Sequence, residues 1–279
     1  MTPTVAIVAA GSMGSGVAQR LAEHKVTVLT SLAGRSEASA ARARNAGMQP
    51  VSDRELSEAD VFLSIVPPGE ALALAQRLAP VFTAANHKPV YVECNAVSPQ
   101  TVNHIEKVVA ATGCAFVGAG IIGPPPKPGS SNTKIYVSGR QAQQVARLND
   151  YGLIVRVLEG PLTAASALKM SYAGITKGFT ALGAAMMLAS ARGSSAAALK
   201  AELAESQPAL LGWLTRQTPN MYAKAYRWVA ELDEIAAFVG DEHAEHEMLE
   251  AAARLYERIA EDFSGDKKET GSLDQFLKS

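Results

Sequence analysis

Cysteine is scarce in this sequence of 279 residues, where only Cys94 and Cys114 occur. Two cysteines cannot form the dense disulfide framework of small secreted domains, so we expect both to be buried apolar residues in a reducing compartment. The chain begins Met-Thr-Pro-Thr-Val-Ala-Ile-Val, without the basic segment that opens a secretory signal peptide. The sequence therefore predicts a cytoplasmic protein.

A charge excess of either sign is also missing, since 26 lysines and arginines stand against 27 aspartates and glutamates. Nucleic-acid-binding proteins normally carry a basic excess, so we expect no nucleic-acid partner. A membrane span needs about 20 apolar residues, and the longest candidate here, residues 178–190, is shorter. We therefore expect no membrane partner. The hydrophobic share of 48% and the charged share of 19% predict a packed core.

Short apolar runs alternate with helix-forming segments through the first 160 residues. The runs predicted as strands are residues 5–10, 26–29, 61–66, 90–93, 115–117, 134–138 and 153–157. The segments predicted as helices between them include residues 14–24, 37–46, 69–78 and 99–111. This alternation is typical of βαβ units and predicts an α/β domain with an open, mainly parallel sheet over residues 1–160.

The pattern changes near Gly160, where a second domain over residues 161–279 is predicted. Residues 163–191 contain no proline and almost no charge, and alanine, leucine and methionine dominate. We interpret this stretch as one long interdomain helix. Residues 195–263 are helical by composition, with a break expected around residues 218–220. The polar tail from Ser264 is expected to end loosely.

A glycine turn follows the first predicted strand and precedes the first predicted helix. Its sequence is Ala9-Ala10-Gly11-Ser12-Met13-Gly14. Glycines at this place allow a tight turn and a close approach of the backbone to a pyrophosphate at a helix N-terminus. An ordinary glycine turn is the alternative, but the order of strand, glycines and helix favours a dinucleotide site formed by Ala9, Gly11, Ser12, Met13 and Gly14.

The end of the second strand bears on the choice of cofactor. An NAD site usually places an aspartate or glutamate there to bind the ribose 2′-hydroxyl, and here the strand ends at Ser31 without a carboxylate. Arg35 and Ser36 follow, and a guanidinium suits a 2′-phosphate. NADP(H) is therefore favoured over NAD(H), with Ser31, Arg35 and Ser36 as its ligands. The alternative is that Arg35 is a solvated loop residue.

Four segments together resemble the β-hydroxyacid dehydrogenase and 6-phosphogluconate dehydrogenase superfamily. The glycine turn resembles the family's G-x-G-x-M-G start. Val66-Pro67-Pro68 resembles the loop that lies along the cofactor, and residues 93–99, with Asn95, resemble the family's D-x-S-T-x-x-P segment near the nicotinamide. Residues 169–175, with Gly178, resemble the catalytic helix.

The resemblance implies a Rossmann-type dinucleotide-binding domain, a long interdomain helix and an all-α C-terminal domain. It also implies a homodimer through the helical domains and a small-molecule substrate in a cleft between the domains. Lys169 falls on the family's catalytic lysine and is the one charged residue between Gly160 and Ser171. We expect Lys169 to act as general acid or base, with Tyr172 assisting.

Several positions depart from the family pattern. Ala173 replaces an asparagine that often follows the lysine by one turn, and the stretch from Ile121 to Pro126 replaces a Ser-Gly-Gly turn that holds a substrate carboxylate. The candidate substrate contacts are therefore Ile121, Ile122 and Gly123. Trp228, an aromatic residue of the helical domain, is a further candidate, with core packing or a dimer contact as the alternative.

These departures leave three functions open. The first is an NADP(H)-dependent dehydrogenase acting on a C–OH or C=O carbon, the second is an imine or ketone reductase with an apolar pocket, and the third is a non-catalytic NADP(H)-binding regulator. His243 and His246 lie three residues apart among glutamates, but we interpret them as part of a surface helix and expect no metal site.

Overall fold

A twisted sheet with helices on both faces forms the first part of the chain. The computed structural model describes residues 2–130 and 132–278. Within these residues the strands of the sheet are β1 (Thr4–Val8), β2 (Thr27–Ser31), β3 (Met48–Val51), β4 (Val61–Ser64), β5 (Val90–Glu93), β6 (Phe116–Ile122), β7 (Lys134–Ser138) and β8 (Ile154–Val157). Their order is β3-β2-β1-β4-β5-β6-β7-β8. Neighbouring strands are parallel except β6 and β7, so the prediction of a mainly parallel sheet is confirmed.

Helices cover the two faces of this sheet. Those of the first part of the chain are α1 (Ser12–Glu23), α2 (Glu37–Asn45), α3 (Ala71–Ala84), α4 (Pro99–Ala110) and α5 (Ala142–Ala146). Side chains of a strand alternate between faces, and so Ile7 of β1 packs in one core with Val17 and Leu21 of α1. Phe62 and Tyr91 point to the other face, where they pack with α3 and α4. Two apolar layers therefore enclose the central strands.

β3 was not predicted from the sequence. Its four residues, Met48–Val51, include Pro50, and the strand lies at the edge of the sheet beside β2. Proline cannot donate to a strand ladder and is tolerated mainly at edges. A short edge strand interrupted by proline carries too little apolar pattern to be recognised locally.

The long helix predicted over residues 163–191 is α6, Ala164–Arg192. The chain divides into two compact units, and the boundary between Met170 and Ser171 lies within this helix. The domain boundary predicted from the sequence was residue 160. The second unit contains the rest of α6 and five further helices among the described residues, α7 (Ala196–Ser206), α8 (Pro208–Tyr222), α9 (Ala225–Val239), α10 (Ala244–Ser264) and α11 (Lys268–Lys278). The prediction of an α/β domain, a long helix and an all-α domain is confirmed.

Two expectations for the helical part are wrong. α8 does not break at residues 218–220 but continues through Pro219, which lies in its last turn. In the same turn, the Asn220 side-chain amide donates to the Arg216 carbonyl oxygen at 2.7 Å. The tail forms α11, whose start is fixed by Asp262: its carboxylate accepts the backbone N–H groups of Glu269 and Thr270 at 2.9 and 2.8 Å. Tertiary contacts therefore order a segment whose composition alone suggests a loose end.

No helix within the described ranges is long and apolar enough to cross a membrane.

Candidate functional site

The strand order reverses at β1 and β4, which lie side by side in the sheet. In open α/β sheets, ligands bind outside the carboxyl ends of the strands at such a switch point. The pairing continues past the ends of both strands, since Ala9 N–H donates to the Ile65 carbonyl oxygen at 2.9 Å and Ile65 N–H donates to that of Val8 at 2.6 Å. The glycine turn and the Val66-Pro67-Pro68 loop therefore leave the sheet next to each other.

The glycine turn fits a pyrophosphate. α1 begins at Ser12 with Gly11 as its N-cap, and no side chain of the described residues caps this helix start. A Cβ atom on Gly14 would clash with the Ala9 carbonyl oxygen, so glycine is needed for α1 to pack against β1. Gly11 has open space around its Cα, which leaves room for a ligand to approach the backbone. Uncapped N–H groups and an open approach are what an anion at a helix N-terminus requires.

The predicted 2′-phosphate ligands lie at the end of β2 and in the loop that follows it. Ser31 is buried at the strand end, and Ser36 is the N-cap of α2, where its hydroxyl accepts the Ser39 backbone N–H at 3.3 Å. The Arg35 guanidinium is 3.6 Å from the Glu70 carboxylate, a partly exposed pair that joins this loop to the segment after Pro68. The pair is weak enough at this distance and exposure to exchange for a ligand anion.

Arg42 is a candidate cofactor residue that the sequence interpretation missed. It lies on α2 and donates from Nε to the Ala10 carbonyl oxygen at 3.0 Å and from Nη2 to the Ser39 hydroxyl at 2.8 Å. A second guanidinium is therefore held between the glycine turn and the loop that carries Arg35. In the sequence, the position of Arg42 one helical turn after Ser39 was the signal that could have indicated this role. It was not specific, because an arginine in a helix rich in alanine and arginine is usually a solvated residue.

Asn95 ties the ends of β4 and β5 together. Its side-chain oxygen accepts the Val66 N–H at 2.7 Å, and its side-chain nitrogen donates to the Ser64 hydroxyl at 2.8 Å. Asn95 is buried, while Val66 is half-buried and Pro67 is exposed. The Asn95 amide thus fixes the Val66-Pro67-Pro68 loop beside the glycine turn.

The first turns of α6 lie on the sheet next to this segment. The Ser166 hydroxyl, which is buried, donates to the Val97 carbonyl oxygen. A Cβ on Gly120 of β6 would lie 2.8 Å from the Cβ of Lys169, so the stem of this half-buried lysine packs directly over the strand. One edge of the first unit therefore carries the glycine turn, the Val66 loop, Asn95 and Lys169.

Tyr172 and the four predicted substrate contacts differ in their exposure and in what they pack against. Tyr172 follows Lys169 by three residues on α6 and is half exposed. Ile121 packs in the core on the α1 face of the sheet, whereas Ile122 is half-buried and Gly123 is exposed. Trp228 of α9 makes an edge-to-face contact with Tyr256 of α10, with ring centres 5.2 Å apart.

A second lysine on α6 was also missed. Lys177 is buried in the helical unit, where its Nζ lies 2.7 Å from the Glu231 carboxylate and 5.4 Å from the centre of the Trp228 ring. The Tyr256 hydroxyl donates to the Lys177 carbonyl oxygen at 2.6 Å. The signal was available, since Lys177 is the one charged residue between Met170 and Arg192.

Around His243 and His246, as elsewhere in residues 2–130 and 132–278, no group of three or more His, Cys, Asp or Glu side chains is arranged to hold a metal ion. His246 Nδ1 instead lies 2.9 Å from the Ala236 carbonyl oxygen.

Two family models match the chain. The NAD binding domain of 6-phosphogluconate dehydrogenase matches residues 4–150, and a domain of unknown function, DUF1932, matches residues 194–259. The first match covers more than half of the chain, and the chain therefore belongs to the family defined by the NAD binding domain of 6-phosphogluconate dehydrogenase. The predicted resemblance to the β-hydroxyacid dehydrogenase superfamily is confirmed, and the match supports the class of NAD(P)-dependent oxidoreductases.

Two known proteins are similar to this chain, one in sequence and one in structure. An uncharacterized 28.5 kDa protein of Methanothermus fervidus is 30% identical over 160 residues, so the match spans 57% of this chain and 59% of that relative. A conserved protein of unknown function, described as structurally similar to 3-hydroxyacid dehydrogenases, is 27% identical, with a TM-score of 0.72 over 92% of this chain and 97% of its own.

Two more distant structures share the fold. The 3-hydroxyisobutyrate dehydrogenase of Mycobacterium tuberculosis is 17% identical, with a TM-score of 0.71 over 95% of this chain and 98% of its own. An imine reductase of Myxococcus stipitatus, solved with NADP+, is 18% identical, with a TM-score of 0.57 over 99% of this chain and 100% of its own.

Proposed function

We propose that this protein is an NADP(H)-dependent oxidoreductase that interconverts a C–OH carbon and a C=O carbon, with Lys169 as general acid or base. The observation that carries the proposal lies within the first unit. There the glycine turn, the Val66 loop, Asn95 and the stem of Lys169 meet at the carboxyl edge of one sheet.

The bound nicotinamide would supply or accept the hydride at its C4 atom, and the chain has to move a proton at the substrate oxygen. The Lys169 ammonium can donate that proton during reduction and take it back during oxidation. Its position supports the role, because its stem packs on Gly120 while Ser166, one turn earlier on α6, is fixed to Val97. Tyr172, one turn later, is a candidate second hydrogen-bond donor.

The preference for NADP(H) rests on the loop after β2. That strand ends at Ser31, so no carboxylate stands there to bind a ribose 2′-hydroxyl. Arg35 and Arg42 instead place two guanidinium groups near Ser36 and Ser39. Guanidinium and hydroxyl groups suit a phosphate monoester through charge-assisted hydrogen bonds.

The substrate is proposed to be a small carbonyl or hydroxy compound, with an imine or ketone in an apolar pocket as the second candidate. The second candidate is favoured by the half-buried Ile122 and the prolines that follow it, which offer no side-chain hydroxyl to a substrate carboxylate. The imine reductase of Myxococcus stipitatus shares the fold. Retention of a lysine at position 169 favours the first candidate.

A turnover assay tests the proposed function. Purified protein is mixed with NADPH and a panel of aldehydes, ketones, keto acids and cyclic imines, and NADPH consumption is followed by absorbance. Lys169→Ala should lower kcat by about 10²–10⁴-fold with an unchanged Kd for NADPH, since general acid–base catalysis contributes about that much. Lys107→Ala, at an exposed position of α4, is the matched control and should retain full activity.

Equal turnover in the Lys169→Ala variant would refute the proposed mechanism. Tight NADPH binding with no turnover on any member of the panel would favour a non-catalytic NADP(H)-binding regulator.

We also propose a homodimer formed through the helical unit. α6 carries a row of exposed large side chains at alternating steps of three and four residues, Tyr172, Ile175, Phe179, Leu182 and Met186, each at least half exposed. This spacing keeps apolar side chains on one face of a helix and is typical of helix–helix packing between subunits. A contiguous apolar row of this kind is rarely left open to water.

The oligomeric state tests this part of the proposal. Light scattering on the wild type should give a dimer, and Ile175→Glu with Leu182→Glu should give a folded monomer. Met248→Glu changes an equally exposed apolar residue on α10 and should remain dimeric. A monomeric wild type, or a dimer that survives both charges on α6, would overturn the proposed interface.

A further inference from the structure

Glu93 is a fully buried carboxyl group that the proposed mechanism does not use. It ends β5 and has no solvent exposure. Its Oε1 accepts the backbone N–H of Asn95 at 2.9 Å, whereas Oε2 has no hydrogen-bond partner among the described residues. A buried carboxylate oxygen without a partner is costly. The group therefore requires an explanation beyond packing.

The Glu93 side chain shares a face of the sheet with the first turns of α6. It pairs in register with Ser64 of β4 and Gly118 of β6. A Cβ on Gly118 would clash with the Leu162 carbonyl oxygen, and one on Gly120 would lie 2.7 Å from that of Ala165. Because side chains of adjacent strands point to the same face at paired positions, Glu93 lies beneath the segment that leads to Lys169.

Few titratable groups surround this carboxyl. Tyr91 and Cys94 are its buried neighbours along the chain, and Lys169 is the one charged residue in the first two turns of α6. β4 and β6 contain no titratable side chain. The helices α3 and α4 cover the same face and carry Arg77, His104, Glu106 and Lys107, none of which is buried.

Burial in these surroundings raises the pKa of Glu93 from 4.5 to about 7, against the opposing effects of the Asn95 backbone N–H and the Ser64 and Asn95 side chains. The carboxyl therefore changes charge near neutral pH. As a carboxylate it accepts the Asn95 N–H in a charge-assisted hydrogen bond, which is about twice as strong as a neutral one. Protonation weakens this bond to Asn95, whose side-chain oxygen holds Val66.

We propose that Glu93 is a positioning residue that fixes Asn95 and the Val66 loop in the geometry for binding the nicotinamide half of the cofactor, and that its ionisation tightens cofactor binding. This inference depends on the proposed function, because it takes the ligand of Asn95 and Val66 to be a nicotinamide cofactor. Glu93 acts through Asn95.

The experiment is a series of calorimetric titrations with NADPH across about pH 5.5 to 8.5, using the wild type, Glu93→Gln and Ser64→Ala. In the wild type, Kd should fall by about five- to tenfold with rising pH, with an inflection near neutrality, as expected for replacing a neutral by a charge-assisted hydrogen bond. Glu93→Gln keeps the shape of the side chain but cannot ionise. Its Kd for NADPH should therefore stay at the weak value that the wild type shows at low pH, without the inflection near neutrality.

Ser64→Ala is the matched structural variant. The Ser64 hydroxyl lowers the pKa of Glu93 and accepts the Asn95 side-chain N–H. Its removal should weaken binding and move the inflection to higher pH, whereas a purely structural role for this cluster would change Kd without moving the inflection. If Glu93→Gln does not fold, infrared detection of the protonated carboxyl band in Ser64→Ala and in the wild type measures the same titration.

The outcomes separate the two proposals. NADPH that binds with the same pH profile in the wild type and in Glu93→Gln overturns the role of Glu93 and leaves the proposed function intact. NADPH that does not bind the wild type at any pH overturns the proposed function itself.

Discussion

The ion pair of the buried Lys177 and the partly buried Glu231 gives a quantitative prediction for the helical unit. The two side chains are 8% and 19% exposed, and their charged atoms lie 2.7 Å apart. Removing one partner of a buried ion pair costs about 3–5 kcal/mol because it leaves the other charge without compensation. Replacing both partners by apolar residues of similar volume is often neutral or stabilising. The pair should therefore show strongly non-additive substitutions.

The exposures predict which single substitution is worse. Glu231→Leu leaves the nearly inaccessible Lys177 ammonium with the Trp228 ring as its remaining favourable contact, and a cation–π contact supplies about 0.5–2 kcal/mol. We expect this variant to lose about 3–4 kcal/mol of unfolding free energy. Lys177→Met leaves the Glu231 carboxylate without its partner, but this group reaches water more easily. This variant should therefore lose only about 2 kcal/mol of unfolding free energy. The double variant should regain most of the loss.

Denaturant unfolding followed by tryptophan fluorescence measures these values directly. Trp213 and Trp228, the two tryptophans of the chain, both lie in the helical unit, so the signal reports that unit. The exposed pair of Lys268 and Asp266 is the matched control, and its substitutions should stay within about 0.5 kcal/mol. Small and additive losses for Lys177→Met and Glu231→Leu would refute the assignment of a coupled, largely buried pair.

Three further predictions concern the first unit. Because the pKa of Glu93 is raised from 4.5 to about 7, folding favours its protonated form. That stabilisation is complete below the unfolded-state pKa of 4.5 and is lost as the pH rises through about 7. Between about pH 4 and pH 8, the free energy of unfolding of Glu93→Gln should therefore rise by about 3 kcal/mol relative to that of the wild type, as measured by denaturant unfolding. Gly14→Ala should lower the free energy of unfolding by about 1–3 kcal/mol, measured by thermal unfolding, because its Cβ meets the Ala9 carbonyl oxygen. Arg42→Ala should raise the Kd for NADPH about tenfold and leave that for NADH nearly unchanged, as measured by calorimetry.

Each of these has a result that contradicts it. A pH-independent difference between Glu93→Gln and the wild type would mean that the carboxyl does not titrate in this range. An unchanged melting temperature for Gly14→Ala would show that α1 does not need the close approach to β1. Arg44→Ala, which removes an exposed guanidinium paired with Glu37, is the control for Arg42, and an equal effect of both on NADPH binding would indicate only a general loss of positive charge.

The first unit was largely predictable because its signals are local. A buried strand, a glycine turn and a helix follow one another within the first part of the chain, and the resemblance of the later segments supplied Asn95 and Lys169. β3 was missed because an edge strand containing Pro50 has little apolar pattern of its own. Glu93 lies in a segment that resembles the family, and its place at the end of the apolar run of residues 90–92 was a signal of its burial.

The helical character of the second unit was predictable from the sequence, whereas the ends of its helices and the contacts between them were not. The end of α8 and the order of α11 depend on contacts such as the hydrogen bond from the Tyr222 hydroxyl to Asp274 at 3.0 Å, between residues far apart in sequence. The pairing of Lys177 with Glu231 has the same origin, since neither residue predicts its partner without the packing of α9 against α6. Single apolar helices show which face is buried but not what that face contacts.

Calorimetric titration of the wild-type protein with NADPH and with NADH separately shows whether the glycine turn and the loop after β2 form an NADP(H) site. We expect NADPH to bind at least about tenfold more tightly than NADH, because the 2′-phosphate adds charged hydrogen bonds. Equal affinities would contradict the assignment of Arg35 and Arg42 to the phosphate, and the absence of binding by either nucleotide would contradict the site as a whole.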